Sequence, residues 1–306
     1  MPQSCFFLFH NMNPYPEQGI SQACEEEVIT MESTRVVLDN HDELSPSLQP
    51  DVAFNDFYDI SNIKFKEMID VCEKSLKITD FEISEIERST RGQHVSSEWF
   101  KQRMYRLIAS NFYSACLNKV EPSNKLKNMF YTHFENASTQ HGTFYEKHAV
   151  QKYEQYLKNW NISALISDTG LIVSKSLPYL GASLDGLVTE ENTGNQWLVE
   201  IKCPYSMHSR TLGEALESKT FFLCQSGGKV CLKKNHRYFY QIQGQMFCSN
   251  LNKADFVVWF SDTEPIYVET IFFDVSFWNE KMFPGLSFFY RRAINKIKIP
   301  CEGALM

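Results

Sequence analysis

The sequence predicts an α/β (α+β) fold, a mixed central β-sheet flanked by helices. Three observations predict it. Two apolar runs, Y-L-G-A-S-L-D-G-L-V from Tyr179 and W-L-V-E-I-K-C-P ending at Pro204, flank the polar stretch E-E-N-T-G-N. That is the pattern of a β-hairpin whose turn carries Asn and Gly where positive φ is needed. Segments with apolar residues at helical spacing lie on both sides of this hairpin. Two further strand-like runs, A-D-F-V-V-W-F and I-Y-V-E-T-I-F-F, follow it and extend the sheet.

The chain of 306 residues, 43% hydrophobic with 24 Phe, has ample material for a packed core. It contains no apolar run of the length a membrane-spanning helix needs, so no membrane contact is expected. The start, M-P-Q-S-C-F-F-L-F-H, lacks the basic region and long apolar core of a secretion signal. Nine scattered Cys with no C-x-x-C pair suit reduced thiols, hence an intracellular protein: nuclear in a eukaryotic cell, cytoplasmic otherwise. Cys224, Cys231 and His236 match no common zinc-finger spacing.

Charge divides the chain. Residues 1–87 hold 18 acidic and 5 basic side chains, whereas residues 88–306 hold 19 acidic and 25 basic. Residues 1–87 are therefore expected to form an acidic, partly disordered extension. It has one helix, with Ile63, Met68, Ile69, Cys72 and Leu76 on its apolar face, and is a candidate for binding a protein partner. Residues 88–306 form the mildly basic body, compatible with a phosphate backbone.

In the body, Ser96 or Ser97 caps a helix expected to run through W-F-K-Q-R-M-Y-R-L-I-A-S-N-F-Y-S-A-C-L and to stop near Pro122. If that helix is continuous, Trp99, Arg103 and Ser110 share a side. A second helix, H-G-T-F-Y-E-K-H-A-V-Q-K-Y-E-Q-Y-L, places Tyr145, Ala149, Tyr153, Tyr156 and Trp160 near core spacing and carries Glu146. The run L-I-S-D-T-G-L-I-V reads as a strand. After Pro204 come a short helix near 211–218, a Gly-Gly turn, and a helix over 238–250 with Gln241 and Gln245 one turn apart. A last helix, 276–296, ends in basic residues suited to the negative end of its dipole.

The central hairpin carries the chemistry. Asp185 sits on its first strand. Glu200 and Lys202, two apart on the second, leave the same face, giving two carboxylates and one ammonium on an apolar platform. Two carboxylates about 4 Å apart repel by roughly 4 kcal/mol at an effective dielectric near 20, and a divalent cation converts that repulsion into a binding site. Few, hard oxygen ligands suit Mg²⁺ or Mn²⁺. Lys202 can then orient or help deprotonate a water. A surface ion pair is the bland alternative, but W-L-V-E-I-K-C-P is an apolar setting where unpaired charges are costly.

The segments G-A-S-L-D-G-L-V and L-V-E-I-K-C-P together resemble the PD-(D/E)xK nucleases, in particular the YqaJ-type viral recombinase, lambda-exonuclease-like branch. The resemblance extends over residues 89–250. It implies a restriction-endonuclease-like core and Mg²⁺-dependent hydrolysis of DNA, 5′-to-3′ from duplex ends, in recombination, repair or a mobile element. By the same resemblance Asp185, Glu200 and the Ile201 carbonyl hold metal, and Glu146 supports a second ion. Lys202 positions the water, and Gln241, with Gln243 and Gln245 as rivals, holds Lys202 or that water. W-x3-R and A-S imply that Arg103, Ser110 and Ser183 grip a terminal 5′-phosphate, and the family implies a homo-oligomeric ring. Leu184 and Ile108 depart from the family's Pro and Thr. Two other readings remain open on these residues: a structure-selective endonuclease using the same site, and a retired fold that binds nucleic acid or protein without cutting. The presence of Glu146, Asp185, Glu200 and Lys202 together argues against retirement.

Overall fold

A computed structural model describes residues 78–103, 106–117 and 137–296, all within the unit Pro50–Met306. The expected disorder over residues 1–50, the helix around Ile63–Leu76 and the basic side chains beyond Arg291 lie outside the described residues. The helices in chain order are α1 (Asp80–Ser89), α2 (Ser97–Arg103), α3 (Phe112–Cys116), α4 (Ala137–Asn159), α5 (Leu212–Leu216), α6 (Arg237–Ser249) and α7 (Phe283–Lys296). The strands are β1 (Leu107–Ile108), β2 (Ala164–Ser167), β3 (Leu171–Val173), β4 (Leu180–Ser183), β5 (Gly186–Glu190), β6 (Gln196–Lys202), β7 (Leu223–Ser226), β8 (Lys229–Leu232), β9 (Lys253–Val258) and β10 (Tyr267–Phe272).

Among the described residues there are two mixed sheets where the sequence suggests one. A five-stranded sheet has the order β10-β9-β6-β5-β2, a three-stranded sheet the order β1-β4-β3, and β7-β8 forms a separate hairpin. Every pairing in the larger sheet is antiparallel except β6 with β9. Two stretches expected as single strands each change sheet part-way: 164–173 divides into β2 and β3, and 180–190 into β4 and β5. Asp185 consequently occupies the bend between β4 and β5, not a strand. Gly186 allows the bend to pack: a Cβ there would lie 2.8 Å from Ile166 Cγ2 and 2.9 Å from Val199 Cγ1. The hairpin turn forms, with Gly194 at φ +71°, but neither Asn192 nor Asn195 takes the positive φ expected of the turn's Asn.

The helix expected across 97–117 is interrupted. Leu107 and Ile108 pair in parallel with Leu180 and Gly181 and are almost fully buried. Burying two such side chains contributes about 1.5–3 kcal/mol each, more than the few tenths per residue by which helix propensity could resist. Arg103 and Ser110 therefore do not share a helix. The expected boundary at 87/88 also falls inside a helix. Thr79 and Glu82 form a reciprocal cap on α1. The Leu171 N–H donates to Thr90 Oγ1 at 2.7 Å, and the Gly170 N–H to Glu87 Oε1 at 3.0 Å. Residues 78–89 are thus fastened to β3.

β6 is covered on both faces, which is why W-L-V-E-I reads as a nearly continuous apolar run. Trp197, Val199 and Ile201 pack with Ala149, Tyr153 and Leu157 of α4, whereas Trp160, expected with them, follows the end of that helix and is exposed. Leu198 packs on the opposite side with Ile242 and Met246 of α6. By the same alternation Glu200 and Lys202 face α6.

Candidate active site

Glu200 occupies what would otherwise be a core position. Its side chain has no exposed surface, and its charge is met by three donors. Lys202 Nζ and Gln241 Nε2 both donate to Oε1, the latter at 2.6 Å, while Gln245 Nε2 donates to Oε2 at 2.6 Å. Gln245 Nε2 also donates to the Ser183 carbonyl at 3.0 Å, tying α6 to the end of β4. The sequence left three glutamines in contention, and helical geometry separates them. Gln241 and Gln245, four apart, turn to Glu200. Gln243 turns away, donating to the Phe272 carbonyl at 3.0 Å and accepting from the Asp274 N–H at 2.8 Å. Gln241 meets Glu200, where the resemblance implied an approach to Lys202 or its water. α6 comes this close because Gly244 lies against Phe112; a Cβ would be 2.4 Å from that ring.

Asp185 meets the same group from the bend. Its Oδ2 accepts the Ile201 N–H at 2.7 Å. Burial, then the Glu200 charge, push its pKa well above the usual carboxylate range. Glu146 adds to the rise, while Lys202 and the Ile201 N–H oppose it. Glu146 is half-buried on α4 and reaches this group electrostatically from the other face of the sheet. Lys202 Nζ donates also to the Ile201 carbonyl at 3.1 Å and sits 5.0 Å from the Tyr238 ring centroid. Burial alone would lower its pKa, but Glu200, Asp185 and Tyr238 raise it above the ordinary lysine value. The raised pKa favours the ammonium form, which can hold a water or neutralise an oxyanion.

Arg103, Ser183 and Trp99 form a second group at the end of β4. The Trp99 indole N–H donates to Ser183 Oγ at 2.9 Å, and Arg103 NH1 donates to the same oxygen at 3.4 Å. The Arg103 guanidinium lies 3.8 Å from the Trp99 ring centroid. Burial lowers its pKa to about 10, and no carboxylate pairs with it among the described residues. A half-buried, stacked guanidinium of this kind is suited to a planar, bidentate anion. Ser110 is exposed on the turn Ala109–Asn111 that follows β1. Because β1 runs parallel to β4, this turn lies toward the Ser183 end. Arg106 and Arg91 are occupied elsewhere. Arg106 donates to the Pro178 and Gln102 carbonyls, and Arg91 pairs with Glu87.

Sequence reasoning ranked Gln245 behind Gln241, although the two glutamines are four apart, one helical turn.

An oxygen-only set of Asp185, Glu200 and the Ile201 carbonyl matches a hard divalent cation, and a cation would relieve the repulsion that raises Asp185. Among the described residues, no three His, Cys, Asp or Glu side chains already close around an ion position.

A sequence model of the YqaJ-like viral recombinase domain matches residues 98–252, which include every residue of both groups. No curated protein sequence matches the chain significantly. Among solved structures, the chain is similar to the alkaline exonuclease LHK-Exo of Laribacter hongkongensis in complex with dAMP. They share 25% identity over 66% of this chain and 95% of that one, with a TM-score of 0.50. It is also similar to SOX of Kaposi's sarcoma-associated herpesvirus in an RNA complex, at 14% identity over 72% of this chain and 75% of that one, with a TM-score of 0.51. The second likeness concerns the fold alone. The architecture is the PD-(D/E)xK type, with mixed sheets flanked by helices.

Proposed function

The chain belongs to the YqaJ-like viral recombinase domain family, and from that premise we propose that it is a metal-dependent deoxyribonuclease that degrades duplex DNA from 5′ ends. The observation that carries the proposal is a fully buried Glu200 beside a half-buried Asp185 and Lys202, at the end of a sheet whose neighbouring group holds a guanidinium with no carboxylate partner among the described residues. A carboxyl group whose pKa is raised by burial and by a neighbouring carboxylate suits a site that takes up a cation and a phosphate.

Asp185, Glu200 and the Ile201 carbonyl would hold Mg²⁺ or Mn²⁺, with Glu146 supporting a second ion. The metal supplies Lewis acidity toward the phosphate and a more acidic bound water. Gln241 and Gln245 fix the Glu200 carboxylate from two sides, so its orientation is set before substrate arrives. Lys202 keeps its proton and offsets charge at the phosphate oxygens. Arg103, steadied by Trp99, binds a terminal 5′-phosphate with Ser183, and Ser110 closes the same region. Because Ser183 is two residues from Asp185, a phosphate held there sets the next phosphodiester against the carboxylates, so cutting proceeds stepwise from the end.

The test is digestion of end-labelled linear duplexes and covalently closed circles with Mg²⁺ and with a chelator. Stepwise release of nucleotides from 5′-phosphorylated ends, absent with chelator and absent on circles, is the expected result. Rapid cutting of circles would replace this reading with an endonuclease on the same site, and binding without cutting would replace it with a retired module.

A further inference from the structure

We propose that a cluster of rings beside the carboxylate group is a stacking shelf for unpaired bases of a DNA strand. The proposal rests on the nuclease reading above and names where that substrate's bases would lie. α4 contributes His141, Phe144 and Tyr145, and the turn after β6 contributes Tyr205 and His208. His141 lies 4.6 Å from Tyr145, 5.4 Å from Tyr205 and 4.9 Å from His208, centroid to centroid. Phe144 stands edge-on to Tyr145 at 4.8 Å.

The shelf has a rigid base. Tyr145 stacks on the buried Trp259 at 4.7 Å and 24°. The Trp259 backbone N–H donates to the Lys202 carbonyl at 2.9 Å, and the Ser209 N–H to the Phe260 carbonyl at 3.1 Å. The rings are thereby fastened to the strand that carries Glu200 and Lys202. Tyr145 immediately precedes Glu146, and Tyr205 follows Lys202 by three residues, so the shelf lies on the α4 face of the sheet, the face from which Glu146 acts on Asp185.

Its outer surface is more than helix packing needs. The Tyr145–Trp259 stack already docks α4, yet Phe144 is 67% and Tyr205 57% exposed. His141 Nε2 is buried with no hydrogen-bond partner among the described residues, so the cluster meets a base through its π faces. Apolar rings left in water beside a phosphate-handling site match the faces of nucleobases, which stack on aromatic side chains whatever their identity. Bases within a duplex have their faces covered by neighbours. Only unpaired bases could use the shelf, such as those freed as a strand enters the site.

The test is anisotropy of a labelled, 5′-phosphorylated oligothymidylate in EDTA, against an abasic strand of equal length and charge. The native chain should bind the thymidylate about tenfold more tightly than the abasic strand, within the range for stacking one base. Tyr205→Leu and Phe144→Leu each keep apolar bulk without the π face, and should lower thymidylate affinity severalfold while leaving the abasic strand unchanged. Tyr205→Phe should retain the preference. Equal binding of both strands by the native chain overturns the shelf, as does full retention of the preference by both Leu variants with unchanged melting. A cutting enzyme that binds both strands equally removes the shelf and leaves the nuclease reading. Base-dependent binding that the Leu variants lose, without cutting under Mg²⁺, removes the nuclease reading and leaves the shelf.

Discussion

Two carboxylates are buried on neighbouring strands of the larger sheet, on opposite faces, and their surroundings differ. β6 and β9 run parallel with Val199 opposite Asp255 and Glu200 opposite Phe256, so Asp255 faces α4 while Glu200 faces α6. Asp255 is met by neutral hydroxyls: Tyr153 donates to one oxygen and Thr270 Oγ1 to the other at 2.6 Å, with the Trp197 indole donating to Tyr153 at 3.0 Å. That network closes on itself. Glu200 is met by an ammonium and two amides, with a second carboxylate close enough to raise that neighbour's pKa. Burial of a carboxylate alone does not mark a site. A second carboxylate, a cation and an opening to the surface through the half-buried Lys202 distinguish one buried acid from the other.

The comparison can be broken most severely at Glu200. Glu200→Gln and Lys202→Ala should each lower cleavage by about a thousandfold, the effect of several kcal/mol of transition-state stabilisation, read as single-turnover rates. Arg103→Ala comes next. Charge-assisted bonds contribute about 1.5–3 kcal/mol each, so rates on 5′-phosphoryl and 5′-hydroxyl duplexes, normally about 10- to 100-fold apart, should become nearly equal. Arg103→Lys should restore only part of the preference, because it cannot make the two-pronged contact.

Asp255→Asn should act on stability, costing about 1–3 kcal/mol by leaving buried hydroxyls mismatched, as read by denaturant unfolding, with cutting retained. The smallest effect is pH-dependent. Asp185 has a raised folded pKa, so the metal-free protein holds a proton there that the unfolded chain has lost. This group's contribution to stability therefore falls as pH rises from the ordinary carboxylate range through the folded pKa. Mg²⁺ or Mn²⁺ competes with that proton, so the melting shift it causes should grow as pH rises above the ordinary carboxylate range. Asp185→Asn should remove most of this pH dependence.

Much of the site is legible in sequence because β-strand alternation is strict: Glu200 and Lys202 must share a face, and an apolar run around them implies burial. The spacing of Gln241 and Gln245 likewise marks one face of a helix. Other features were not legible because they depend on distant partners. Leu107 and Ile108 fit a helical pattern and become a strand only because β4 is there to receive them. Asp185 lies in a sheet-to-sheet bend that no local signal announces, and Glu146 reaches the group only because α4 crosses the other face. The pairing of Trp99 with Ser183 spans 84 residues, and nothing in the local sequence encodes it.

The central claim, that the acid facing α6 performs chemistry while its neighbour facing α4 holds the fold, is tested most directly by one assay. Single-turnover degradation of a 5′-phosphorylated linear duplex is measured with Mg²⁺ for the native chain, Glu200→Gln and Asp255→Asn, each shown to be folded by melting. The account predicts near-native cutting by Asp255→Asn and a loss of about a thousandfold for Glu200→Gln. Native-rate cutting by folded Glu200→Gln would contradict it.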